Sequence, residues 1–69
     1  NAIQTAQGAN AEGLAALREG DFAGAIAAFE TAVERDPVAG PLWRNLAHAM
    51  RLAGDEQGER GALDRALAL

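Results

Sequence analysis

The sequence predicts an all-α domain that consists of two helix–turn–helix hairpins with four antiparallel helices. Composition argues against a sheet, because only six of the 69 residues are β-branched and none is tyrosine. Eighteen residues are alanine, which has the highest helix propensity and lets neighbouring helices approach closely. Glycine and proline residues divide the chain into four stretches of helical length.

The first hairpin is predicted from helices at about 4–19 and 22–35. Gly20 suits the left-handed position after a helix, and Asp21 can cap the start of the next one. The second helix has an apolar stripe at helical spacing, formed by Phe22, Ile26, Phe29 and Val33. The stripe of the first helix is broken and consists of Ile3, Ala6, Gly13, Leu14 and Leu17.

The second hairpin is predicted from helices at about 41–53 and 56–68. Pro37 ends the preceding helix, and Pro41 suits the first turn of a new one. The third helix has a strong apolar face that includes Trp43 and Met50, which we expect in the core. The fourth helix has the weakest helical pattern, because Gly58 and Gly61 lie inside it and each costs about 1 kcal/mol relative to alanine. Its apolar side is expected to be Leu63, Ala66 and Leu67.

A 34-residue spacing relates the two halves of the chain. Gly20 and Asp21 recur as Gly54 and Asp55. The other identical pairs at this offset are Ala15 and Ala49, Gly24 and Gly58, Ala28 and Ala62, and Ala32 and Ala66. Apolar residues also correspond, with Phe29 matched to Leu63 and Val33 to Leu67. Turn, cap and core positions therefore recur together, as in a structural repeat.

The chain resembles the tetratricopeptide repeat family, whose unit is a 34-residue helix–turn–helix. The matching residues of the first unit are Gly13, Gly20, Asp21, Phe22, Ala25, Phe29, Ala32, Asp36 and Pro37. Those of the second are Trp43, Leu46, Ala47, Gly54, Asp55 and Ala66. The resemblance covers residues 6–69 and implies two units, 3–37 and 38–69. The chain departs from the family pattern at Glu12, Ala16, Glu56 and Glu59. The last two predict either that the two helices of the second hairpin pack less closely or that the fourth helix is shifted.

Charge and composition exclude several classes of function. Ten acidic residues, six arginines and no lysine give a net charge of −4, whereas nucleic-acid binding favours the opposite sign. No apolar run is long enough to span a membrane, so we expect a soluble protein. The compartment stays open, because the absence of cysteine fits both reducing and oxidising ones, and the cytoplasm is only favoured among them. A single histidine and no cysteine leave no metal site, cofactor site or catalytic constellation. The fragment is therefore predicted not to be an enzyme and to need no cofactor.

A candidate binding face lies on the third helix, where three basic side chains are spaced at i, i+4 and i+7: Arg44, His48 and Arg51. The family resemblance implies a peptide-binding groove that these residues line together with Asn10, Leu14 and Leu17. Because guanidinium groups favour carboxylates, we expect a protein or peptide partner with an acidic segment or a C-terminal carboxylate. The alternative is a solvated face with no partner.

Two further hypotheses remain open. The ends of the chain suggest a fragment, because Asn1 and Ala2 are typical of a tag remnant and no glycine or proline ends the last helix. The resemblance then allows an accessory N-terminal region of a bacterial enzyme, similar to aspartyl/asparaginyl β-hydroxylase-like or sulfotransferase-like proteins. The other hypothesis is a homodimer formed through Leu63, Leu67 and Leu69.

Overall fold

The computed structural model describes residues 5–69, which form four helices. They are α1 (Ala6–Arg18), α2 (Phe22–Arg35), α3 (Gly40–Leu52) and α4 (Glu56–Ala68). No strand occurs within the described range, so the all-α class is confirmed. The bounds of α2 and α4 agree with the prediction, and α3 lies one residue earlier at each end. The predicted tag remnant, residues 1–2, and the first residues expected in or beside α1, Ile3 and Gln4, lie outside the described residues.

The two turns inside the hairpins have the same geometry. Gly20 and Gly54 adopt positive φ angles of 77° and 83°, a region that glycine enters without steric cost. The carboxylates of Asp21 and Asp55 each accept a hydrogen bond of 2.9 Å from a backbone N–H three residues later. The predicted caps are therefore present, and they start α2 and α4 at equivalent places.

The starts of α1 and α3 are stabilised in different ways. Thr5 caps α1, because its hydroxyl oxygen accepts a hydrogen bond of 2.9 Å from the backbone N–H of Gly8. This cap was missing from the sequence prediction. The start of α3 has no side-chain cap and instead carries Pro41 in its first turn, as predicted. The indole N–H of Trp43 donates to the carbonyl oxygen of Pro37 at 2.8 Å, which ties α3 to the turn before it.

The core lies along the contacts of α1 with α2, α2 with α3, and α3 with α4. Its buried residues are Ala25, Phe29, Val33, Leu46, Ala47, Ala49 and Ala62. Alanine predominates among them, which allows close approach of the helices. Phe29 is the one large side chain of the described chain that is fully buried. The predicted core residues Trp43 and Met50 are half-buried and pack against this cluster.

Two predicted apolar faces were wrong in part. In α1 the buried residues are Ala9 and Gly13, whereas Leu14 is 39% exposed. The reason is that the ring of Phe29 lies against Gly13, so the smallest residues of α1 make the contact with α2. In α4 the buried residue is Ala62, and the predicted Leu63 and Leu67 are exposed.

The helices of the second hairpin run antiparallel. A Cβ atom built on Gly40, at the start of α3, would lie 4.0 Å from the carbonyl oxygen of Ala66, near the end of α4. A Cβ atom on Gly58 would lie 2.8 Å from the sulfur of Met50. The Cα atoms span 30 × 26 × 12 Å. The smallest dimension is close to the roughly 13 Å that two layers of helices occupy between Cα atoms.

Candidate functional site

The candidate site is a basic face of α3, which we define by Arg44, His48 and Arg51. All three side chains are exposed. At 100° per residue they fall within an arc of about 60° of the helix surface. The opposite side of α3 carries Leu46 and is buried in the core. The core contacts of α3 therefore fix the direction in which the basic face points.

A side-chain hydrogen bond joins α3 to α1 beside this face. The amide nitrogen Nδ2 of Asn45 donates to Oδ1 of Asn10 at 2.8 Å, and the pair is partly buried. Because amides that lose water on burial need a partner, this bond favours one placement of α1 relative to α3. Asn10 was a predicted site residue. Asn45 was not, although its place beside Arg44 on the polar side of α3 was visible in the sequence.

The two leucines predicted for the site differ in their surroundings. Leu14 is 39% exposed and lies on α1, one turn after Asn10. Leu17 is half-buried and packs against the core cluster. Leu14 thus offers apolar surface to a partner, whereas Leu17 contributes mainly to the contact between α1 and the core.

The side chains of the basic face have no internal counter-ions. Within residues 5–69, Arg44, His48 and Arg51 form neither an ion pair nor a side-chain hydrogen bond. The acidic residues nearest to Asn10 along the chain are Glu12 of α1 and Glu19, which follows that helix, and both lie about 160° or more around the helix axis from Asn10. The guanidinium groups are therefore available to an external carboxylate.

Comparison with protein-family models, curated proteins and solved structures finds no match to this chain. Any function proposed for this chain therefore depends on the arrangement of its own residues. Among residues 5–69, no three His, Asp or Glu side chains are grouped in a way that would hold a metal ion. None of the four helices combines the length and the apolar character needed to cross a bilayer, over the part of the chain that the structure describes.

Proposed function

We propose that this chain is a non-catalytic protein-interaction module of the tetratricopeptide type. Its partner is a peptide segment that lies along α1 and α3 and carries acidic side chains or a C-terminal carboxylate. The observation that carries the proposal is the hydrogen bond between Asn45 and Asn10 beside three exposed basic side chains. This hydrogen bond joins α1 to α3, and the three basic side chains of α3 lie beside it.

The chemistry of the basic face supports this partner. Arginine presents a planar fork of N–H donors that matches both oxygens of a carboxylate. Arg44 and Arg51 are two turns apart on one helix, about 10.5 Å along its axis. A peptide in the polyproline II conformation advances about 9.3 Å in three residues, which make one full turn, so carboxylates at i and i+3 lie on one side and match the two guanidinium groups. Leu14 adds an apolar contact on α1.

Charge reversal on the basic face tests the proposal. The double variant Arg44→Glu, Arg51→Glu should lose at least tenfold in affinity for a peptide with two acidic residues three apart, because two favourable charge contacts become repulsive. Affinity is measured by isothermal titration or by NMR chemical-shift mapping. The backbone signals of Asn10 and Asn45 should shift when the unmodified protein binds.

A matched control separates a local effect from one of net charge. The double variant Arg35→Glu, Arg60→Glu makes the same change in net charge at exposed positions on α2 and α4. Its affinity should stay within about twofold of the unmodified protein in 0.15 M salt, where distant surface charges are screened. Equal losses in both double variants, or unchanged affinity in the first, would contradict the proposed groove.

Self-association is a second candidate, and one observation favours it. Leu63 and Leu67 lie one turn apart on α4 with 39% and 84% exposure, and Leu69, directly after the helix, is 58% exposed. Large apolar side chains exposed next to each other, as Leu63 and Leu67 are, occur at association sites. A homodimer through these leucines would cover them, and its test is the oligomeric state in solution.

A further inference from the structure

A cleft opens between α2 and α4, above α3. Its volume is about 510 Å³. Trp43, Leu46 and Met50 of α3 form its floor, and all three belong to the core or pack against it. The volume falls within the range of small-ligand sites, which are about 300–1,000 Å³ and mostly apolar. The cleft is thus large enough for one or two side chains of a partner.

Glycine residues on α4 keep the cleft open. Gly58 and Gly61 line the wall that α4 provides. A Cβ atom built on Gly61 would meet no atom within 4 Å, so a side chain there would extend into free space. Glycine has a poor helix propensity, but the absence of a side chain at Gly61 leaves room in the cleft above Trp43.

The walls of the cleft carry unequal charge. Glu30 and Glu34 of α2 lie one turn apart on its rim, and both are exposed. Neither forms an ion pair within the described residues. The one cation that lines the cleft is Arg65, whose guanidinium carbon lies 5.3 Å from the centre of the Trp43 ring. Two carboxylates and one guanidinium leave the cleft with an excess of negative charge.

We propose that this cleft binds a partner peptide that presents an arginine side chain flanked by large apolar ones. The apolar side chains lie on the half-buried Trp43 and Met50, and the guanidinium group bridges the carboxylates of Glu30 and Glu34. This site is distinct from the basic face, because the two surfaces point in directions about 130° apart around α3. One surface thus selects acidic segments and the other selects basic ones.

The probe is an acetylated and amidated pentapeptide, Ala-Leu-Arg-Leu-Ala, titrated into the protein. Trp43 is the only tryptophan, so its fluorescence reports on the cleft directly. We expect a saturable change in emission and NMR shifts at the amides of Gly58 and Gly61. A peptide with glutamate in place of arginine should bind at least tenfold more weakly. The double variant Glu30→Gln, Glu34→Gln should weaken binding of the arginine peptide about fivefold, since both charge pairs are lost.

The control double variant is Glu12→Gln, Glu19→Gln, which changes the net charge equally at exposed positions, one on α1 and one directly after it. It should leave the affinity of the arginine peptide unchanged. A second variant, Gly61→Leu, fills the cleft at a position with free space and should abolish binding while the protein stays folded. Equal effects of the two glutamine variants, or full binding by the leucine variant, would overturn the proposal. Emission from Trp43 that depends on protein concentration before any peptide is added would also overturn it, since the occupant would then be a second copy.

Discussion

The contact between Gly13 and Phe29 gives the sharpest prediction about stability. Replacing Gly13 with alanine brings the new Cβ atom against the phenyl ring, with Cδ1 and Cζ at 2.6 and 2.7 Å. Real Cβ atoms do not approach other atoms so closely, so the ring or the helix has to move. Phe29 is fully buried between α1 and the rest of the core, which leaves its ring little freedom to shift.

Two opposing contributions decide whether Gly13→Ala raises or lowers the free energy of unfolding. Alanine improves helix propensity over glycine by about 1 kcal/mol. Overpacking of a well-filled core costs about 1–3 kcal/mol, and the short contacts at Gly13 place this case near the upper end. We therefore expect Gly13→Ala to lower the free energy of unfolding by about 2 kcal/mol. For a domain of this size, that corresponds to a decrease in Tm of about 8–16 °C.

The control is a glycine-to-alanine substitution at a position where the new methyl group meets no other atom. Gly61 lies inside α4, and a Cβ atom there meets no atom within 4 Å. Gly61→Ala should therefore raise the free energy of unfolding by about 0.5–1 kcal/mol. Urea unfolding followed by far-ultraviolet circular dichroism measures both variants. If Gly13→Ala is as stable as the unmodified protein, or stabilises it as Gly61→Ala does, the close contact between α1 and α2 is wrong.

The remaining predictions concern the caps and the outer side of α4. Asp21→Ala and Asp55→Ala should each cost about 1 kcal/mol in unfolding free energy, because each leaves a backbone N–H without its cap, and the asparagine variants should restore most of the loss. If self-association occurs through the exposed leucines, sedimentation should show a dimer at high protein concentration, and the double variant Leu63→Asn, Leu67→Asn should remain monomeric at the same concentration. A strict monomer throughout would count against that dimer.

Local signals explain which parts of the fold were predictable. The caps at Asp21 and Asp55 and the turns at Gly20 and Gly54 depend on residues within four positions of each other. Their chemistry is the same in any context, so the bounds of α2 and α4 followed directly from the sequence. No apolar periodicity marks the start of α1, because Thr5 lies among alanines and polar residues.

The sequence could predict only those features of the candidate site that lie on a single helix. Helical spacing placed Arg44, His48 and Arg51 on one face, and the structure shows all three exposed. The hydrogen bond between Asn45 and Asn10 joins residues 35 positions apart, and no local pattern pairs them. The cleft also depends on tertiary contacts, since three helices line it. Such features follow from the way helices are arranged, which periodicity within one helix does not specify.

A comparison of α2 with α4 shows why apolar spacing alone did not predict burial. Phe29 and Val33 have exposures of 0% and 5%, whereas Leu63 and Leu67, 34 residues later, have 39% and 84%. The residues are of similar hydrophobicity and occupy equivalent positions after equivalent caps. The difference is that α2 packs against both α1 and α3, whereas within the described chain α4 packs mainly against α3. Burial of a residue in a repeated helix is therefore a property of its neighbours. It also follows that a substitution such as Leu67→Asn should cost far less stability than Val33→Asn, because only the latter places an amide in a closed core.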